Sequence, residues 1–289
     1  MASKLIELIK VLRERTGSGM MDCKAALLAN DCDVEKSCEW LREKGIAKAA
    51  KKASRIAAEG LTYVVTKGND AVILEVNSET DFVAKSDDFK KLVCDVAELL
   101  LDKKPACINC AKDLTKELFT NATVKIGEKL DFRRFELVTK TDNQTFGAYI
   151  HMGGKISVLA LIEGNNDEVA KGIAMHIAAN NPTYVSTSDI PSTAVENEKR
   201  IQMEAAKNDE KLKNKPEQAL VKIIEGKVNK IFSETVLLSQ EYLLDPSKKV
   251  EQLLKEQNLS VVKFVRYAVG EGIAKREENF AEEVAKQMK

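Results

Sequence analysis

From Leu61 onward, apolar residues stop recurring every third or fourth position and begin to alternate with polar ones. Leu61, Tyr63 and Val65 form one alternating run, Lys67-Gly68-Asn69-Asp70 turns the chain, and residues 71–76 return, which together signal a β-hairpin. This change of period constrains the fold more than any other feature, because a period of two demands a sheet and the flanking period of 3.6 supplies helices to cover it. After the returning strand, Asn77-Ser78-Glu79-Thr80-Asp81-Phe82-Val83-Ala84-Lys85 reads as a loop, and Ser86-Asp87-Asp88 starts an amphipathic helix reaching about Leu101. A phenylalanine beside an acidic residue thus sits at a strand-to-helix junction, where a rigid scaffold can present loop residues to a partner. On residue class alone the plainer reading is favoured: Phe82 in the core and Asp81 as a local turn former.

Before the hairpin, Leu5, Leu8, Ile9 and Leu12 recur at helical spacing over residues 3–14, with Ser3 as N-cap. Thr16-Gly17-Ser18-Gly19 breaks that helix. Met20-Met21 lead into a second one from Asp22, and Asp33 caps a third, 34–44, which Gly45 stops. Three helices this short can barely build a core alone. Two adjacent methionines at a Gly-rich turn cannot easily both be buried in so small a bundle, and thioether side chains suit an adaptable contact surface. The alternative is that Met20 and Met21 staple the second helix to the first. The Ala- and Lys-rich stretch 46–59 reads as a helical connector with a solvated face.

Beyond the Ser86 helix, residues 102–111 read as a loop, 114–119 as a short helix and 124–128 as a connection. A second set of strands runs at 132–139, 146–151 and 156–162. Strand, turn, strand, loop and helix over 61–101 are weakly echoed over 146–179, with Val72-Ile73-Leu74-Glu75-Val76 answering Val158-Leu159-Ala160-Leu161-Ile162. Two half-modules packing into one α+β core is the economical arrangement. Residues 193–213 and 216–232 are helical, heavily charged and sparse in apolar residues, so they can cover only each other, as a protruding antiparallel hairpin. Leu243 to Lys248 returns the chain to the core and 261–268 is its last strand. Gly270-Glu271-Gly272-Ile273 then starts a terminal amphipathic helix bearing Phe280 and Val284.

The 289 residues carry 45 Lys and Arg against 45 Asp and Glu, whereas a protein working mainly by neutralising phosphates would carry a basic excess. Nucleic acid is disfavoured as a direct partner. No apolar run approaches the roughly 20 residues of a membrane span, and Lys4, Glu7 and Lys10 make the N-terminus an amphipathic helix and not a signal peptide. Scattered cysteines without a secretion signal imply reduced thiols in a cytosol. Cys107-Ile108-Asn109-Cys110 has the spacing of a redox or zinc motif, but it has no second such pair and Pro105 opens the stretch. No G-x-S-x-G, phosphate-loop or dinucleotide motif occurs. His176 lies in an apolar helical stretch as a core histidine, and His151 ends a strand at the Gly153-Gly154 turn. We expect no catalytic residue, metal or cofactor, and a molecule that works by binding.

Thr80-Asp81-Phe82-Val83-Ala84, together with Leu12-Arg13-Glu14-Arg15-Thr16-Gly17-Ser18-Gly19-Met20-Met21-Asp22-Cys23-Lys24, resembles the bacterial elongation factor Ts family, the nucleotide exchange factors of the translational GTPase elongation factor Tu. The resemblance implies an α+β fold. Its parts would be an N-terminal three-helix bundle of ubiquitin-associated (UBA-like) type, 1–53, and a two-subdomain core with antiparallel sheets. The core would comprise 54–182 (54–140, then 141–182 beginning the second subdomain), with 233–269 completing it. An inserted antiparallel coiled-coil hairpin, 183–232, and a C-terminal helical module, 270–289, would complete the chain. It implies binding to Tu in its GDP-bound and nucleotide-free states, in the cytoplasm, without nucleic acid or membrane, and dimerisation of the complex is within the family's range. Carried over by motif, Thr80, Asp81, Phe82 and Val83 form a wedge near the partner's magnesium site, and Arg13, Met20, Met21 and Lys24 anchor the bundle. Ile126, Gly127, His151, Leu243 and Leu244 match further core contacts, the two leucines in no distinctive motif. Two other classes stay open. One is a scaffold binding a different client through its N-terminal bundle, which leaves the 80–84 loop without a purpose. The other is a thiol- or metal-dependent enzyme built on Cys107 and Cys110.

Overall fold

A computed structural model of the chain describes residues 2–209 and 216–274. The turn at Asn214-Lys215 and the terminal helix with Phe280 and Val284 lie outside the described residues. Three helices come first: α1 (Ala2–Thr16), α2 (Met20–Ala29) and α3 (Val34–Lys52). They close on a small core in which Leu12, Cys23, Ala26 and Leu27 are fully buried beside Ile9 and Leu41.

Next come β1 (Glu59–Lys67), β2 (Asp70–Ser78), the five-residue α4 (Asp81–Lys85), α5 (Asp87–Lys103), α6 (Ile108–Ile126) and β3 (Leu130–Thr139). β2 lies between β1 and β3, antiparallel to both. The second half repeats this plan with β4 (Gln144–His151), β5 (Ile156–Glu163) and α7 (Asp167–Asn180). An excursion follows through α8 (Ser192–Asn208), α9 (Glu217–Thr235), β6 (Glu241–Tyr242), β7 (Asp245–Lys249) and α10 (Val250–Glu256). The chain then adds β8 (Ser260–Ala268), which pairs antiparallel with the central β5. Helices and antiparallel sheets together make an α+β protein.

The layers follow from which side chains face which way. Val72, Leu74 and Val76 of β2 pack with Phe89, Val93 and Val96 of α5 and with α6. The alternate residues, Ala71 and Ile73, meet Leu159 and Leu161 of β5 between the two sheets. Val158, Ala160 and Ile162 turn the other way, onto α7 and α10. The order is helices, sheet, sheet, helices. Both central strands are buried on two faces, which is why each is written as an almost unbroken apolar run. α8 and α9 cover each other through Ala206, Ile224 and Val228.

Four expectations are corrected. The 132–139 strand belongs with the first hairpin, paired to β2, and not with the strands that follow it. Residues 102–128 do not form a loop, a short helix and a connection. Cys107 caps one helix, α6, whose end is closed by Gly127 at φ +86°, a conformation glycine adopts without strain. The 80–84 segment is not a loop but carries α4, capped by Thr80. α3 runs through Gly45, where a stop was expected. A Cβ there would collide with Val124 of α6, so this glycine serves a close helix–helix approach.

Candidate functional site

Five residues make α4, and their placement follows from helix geometry. Ala84 is buried and Val83 packs against the first core. Phe82 precedes Ala84 by two positions, roughly 200° around a helix, so its ring points away from the protein and is 82% exposed. The reading of Phe82 as a core residue is overturned. Thr80 Oγ1 accepts the Val83 N–H at 3.4 Å, and the same hydroxyl donates to Glu128 Oε1 at 2.7 Å while the Thr80 N–H donates to Glu128 Oε2 at 3.0 Å. One carboxylate thus holds both donors of the cap. Asp81 pairs with Lys85 at 2.6 Å. That hydrogen bond holds the Asp81 carboxyl below its usual range, with lesser help from Lys155.

Glu128 follows the end of α6, so Ile126 and Gly127 stand directly behind the cap of α4. Ile126 packs into the first core and Gly127 is exposed, its carbonyl accepting from Lys52. Glu79 Oε1 accepts the Lys129 N–H at 2.6 Å and its carboxylate meets Arg55, which fastens the 127–129 turn to the end of β2. Lys125 reaches in the opposite direction. Its ammonium lies 2.5 Å from Asp88 and its stem lies beside Gly17, where a Cβ would sit 3.2 Å from Lys125 Cδ. Gly17 belongs to the turn that presents Met20 and Met21, which are 58% and 73% exposed. Neither belongs to the core of the bundle. Arg13 and Lys24 are exposed on the same bundle.

On the far side of α4, the β4–β5 turn docks on β1, with the Thr62 N–H and Oγ1 donating to the Gly154 carbonyl at 2.7 and 2.9 Å. His151 is half-buried there, Nδ1 3.1 Å from the Tyr149 hydroxyl. Gly17, residues 80–83 and residues 126–128 are therefore linked contact by contact, and His151 lies on a turn docked on β1, the strand beside β2. Leu243 and Leu244 are not part of it. They form the β6–β7 turn against α7, in the outer helix layer of the second half.

Sequence reasoning missed Glu128, the brace of the α4 cap, because its partner is 48 residues away and no local pattern records the pairing. It also missed Met152, 71% exposed at φ +49° beside His151, which an apolar residue just before a Gly-Gly turn could have signalled. Cys107 is the N-cap of α6, its Sγ accepting the Cys110 N–H at 3.2 Å. The C-x-x-C spacing is that of a cap and the residue it caps.

The site therefore offers no reacting group of its own: a capped, braced helix holds an aromatic ring in solvent, and Met20 and Met21 are exposed on the N-terminal bundle. A family model described as elongation factor TS matches residues 79–271. The chain belongs to the elongation factor Ts family, the nucleotide exchange factors that act on elongation factor Tu in translation elongation. The matched segment includes residues 80–83, Ile126, Gly127, His151 and both leucines, and begins after Arg13, Met20, Met21 and Lys24. No helix among the described residues is long and apolar enough to cross a membrane.

Proposed function

We propose that this chain binds elongation factor Tu·GDP, drives GDP out by pressing Phe82 into the region that holds magnesium and the diphosphate, and departs when GTP binds. The observation that carries this reading is the Phe82 ring, held 82% exposed on a helix braced from its own cap. A factor that prefers the nucleotide-free partner must weaken nucleotide binding by the same coupling factor. The chain needs to make or break no bond. A diphosphate is held by backbone donors and by the charge of its magnesium, so a small displacement of that loop is enough.

In this reading Thr80, Asp81 and Val83 fix the wedge, and Arg13, Met20, Met21 and Lys24 anchor the UBA-like unit 1–53 on the same partner domain. Ile126, Gly127 and His151 flank the wedge, while Leu243 and Leu244 meet the partner's other end. The core is 54–182 with 233–269, carrying the inserted coiled-coil hairpin 183–232 and the C-terminal module 270–289, and the setting is cytoplasmic.

The test mixes this protein with Tu carrying fluorescent GDP and excess unlabelled GDP, and follows loss of signal. We expect fast release at substoichiometric protein, strongly slowed by Phe82→Ala, with affinity for nucleotide-free Tu reduced less than the rate. Equal losses of rate and affinity would make the ring a plain anchor. No acceleration by the unsubstituted protein would remove the proposal altogether.

A further inference from the structure

His176, in α7, is fully buried, yet one side of its ring supports an exposed turn. The Leu243 backbone N–H donates to His176 Nδ1 at 3.1 Å. A backbone N–H can only donate, so Nδ1 carries the lone pair and the ring proton sits on Nε2. Nε2 lies 2.8 Å from Gln240 Oε1, which accepts that proton, while Gln240 Nε2 donates to the Glu234 carbonyl at 2.7 Å. The Asn180 amide lies 3.4 Å from the same ring nitrogen, and the Tyr242 ring stacks on the imidazole with centroids 6.0 Å apart. Tyr242 fits there because α7 has a glycine below it, and a Cβ on Gly172 would strike the phenol oxygen. Immediately beyond, Leu243 and Leu244 stand 42% and 58% exposed.

We infer that His176 is the positioning residue of the Leu243–Leu244 turn: its neutral Nε2–H form holds the Leu243 backbone so that both leucines face a protein partner. This rests on the proposed reading of that turn as a contact with Tu. His176 itself touches neither partner nor nucleotide.

Two substitutions separate the ends of the ring. In His176→Asn the side-chain oxygen falls near the former Nδ1 and still accepts from Leu243. In His176→Gln the amide reaches out to the Nε2 position and serves Gln240 alone. Losing the acceptor should raise amide hydrogen exchange at Leu243 about tenfold and weaken binding to nucleotide-free Tu about tenfold in His176→Gln, with most of both restored in His176→Asn. A histidine that only fills the core would make the two variants alike, and that result overturns the inference. Unchanged Leu243 exchange in His176→Gln does the same. If exchange rises but affinity holds, the Leu243→Ala, Leu244→Ala double variant decides where the failure lies. Weakened binding by that variant refutes positioning and spares the reading of the turn, whereas unchanged binding refutes the reading and the inference with it. Should the histidine variants not fold, nitrogen-15 NMR of the unsubstituted protein reads the ring directly: a proton on Nε2 is expected, and one on Nδ1 overturns the inference.

Discussion

An aromatic ring left in water forgoes about 1.5–3 kcal/mol that burial would return, and Phe82 forgoes it in a chain whose other phenylalanine on the neighbouring helix, Phe89, is fully buried. What keeps the ring outside is its neighbours: Ala84 inward, Thr80 at the cap and Glu128 across the cap. Glu128→Ala removes two hydrogen bonds from the first turn of α4 and should lower exchange activity several-fold, with a stability change of about 1 kcal/mol. Undiminished exchange would mean that the Thr80 cap alone suffices. His176 makes a prediction about pH. Burial pushes its imidazole below the ordinary range, so the unfolded chain binds the proton more readily than the folded one. Stability is then full above the unfolded-state value of about 6.5 and is lost as pH falls from there toward the lower folded-state value. Urea midpoints compared at about pH 7.5 and 5.5 should show that fall, and His176→Asn should flatten it; an equal slope in the variant would assign the fall to other groups. At this scale the sequence showed where Phe82 stands, at a strand-to-helix junction, but not that it is exposed. That depends on which side of a five-residue helix meets the core, and on a carboxylate 48 residues away.

Elements were legible where one periodicity ruled. α5, β1 and β4 each bury side chains at the period of their kind, while β2 and β5, buried on both faces, appear as short apolar runs bounded by turns. α6 was not legible, because its cap is a cysteine, a residue outside the usual Ser, Thr, Asp and Asn set, and its buried positions include Thr115 and Thr123. Gly45 misled for a related reason. A glycine near the end of a helical pattern reads as a stop unless the second helix is known to press against it. That contact gives a signed prediction. Gly45→Ala gains about 1 kcal/mol of helix propensity but forces a methyl into Val124, a stiff β-branched side chain, at a cost of typically 1–3 kcal/mol. A net loss of stability is expected from urea unfolding, with Val124→Ala recovering the propensity gain in the double variant. Additive effects would show that α3 and α6 do not touch there. The same packing makes removal of 1–53 a poor test of anchoring, since it strips α3 from α6. Met20→Ala with Met21→Ala, both exposed, should weaken Tu binding with the melting temperature unmoved.

For the whole molecule, α4 follows β2 of the first sheet and the β4–β5 turn belongs to the second, so their spacing depends on how the sheets are joined. Part of that join is the apolar layer of Ile73, Val138, Leu159 and Leu161. Thr62 adds its bonds to the β4–β5 turn, and a further polar join is centred on Glu75, which is fully buried on β2. A bulge opposite it in β3 lets two consecutive arginines reach one carboxylate, Arg133 at 3.0 Å and Arg134 at 2.5 Å. The Gly270 N–H donates to the same carboxylate at 2.8 Å, and Arg134 donates to the Ala268 carbonyl at 3.1 Å while lying 4.2 Å over the Tyr267 ring. The first sheet is thereby tied to the end of β8. In the sequence Glu75 appears only as a charge interrupting an apolar run, and nothing local names partners 58 and 195 residues away. Glu75→Ala leaves two arginines without their carboxylate. Full burial of such a pair makes this loss about 3–5 kcal/mol, and the partial exposure of both guanidinium groups puts the expected value near the lower end. Glu75→Gln keeps an acceptor for Gly270 and one arginine, and should lose less. If Glu75 sets the spacing between sheets, exchange activity of Glu75→Ala should also fall at temperatures where the variant is still folded, through a lower rate and with α4 itself intact. A variant that loses stability but exchanges nucleotide at the full rate would show that the two halves keep their register without Glu75.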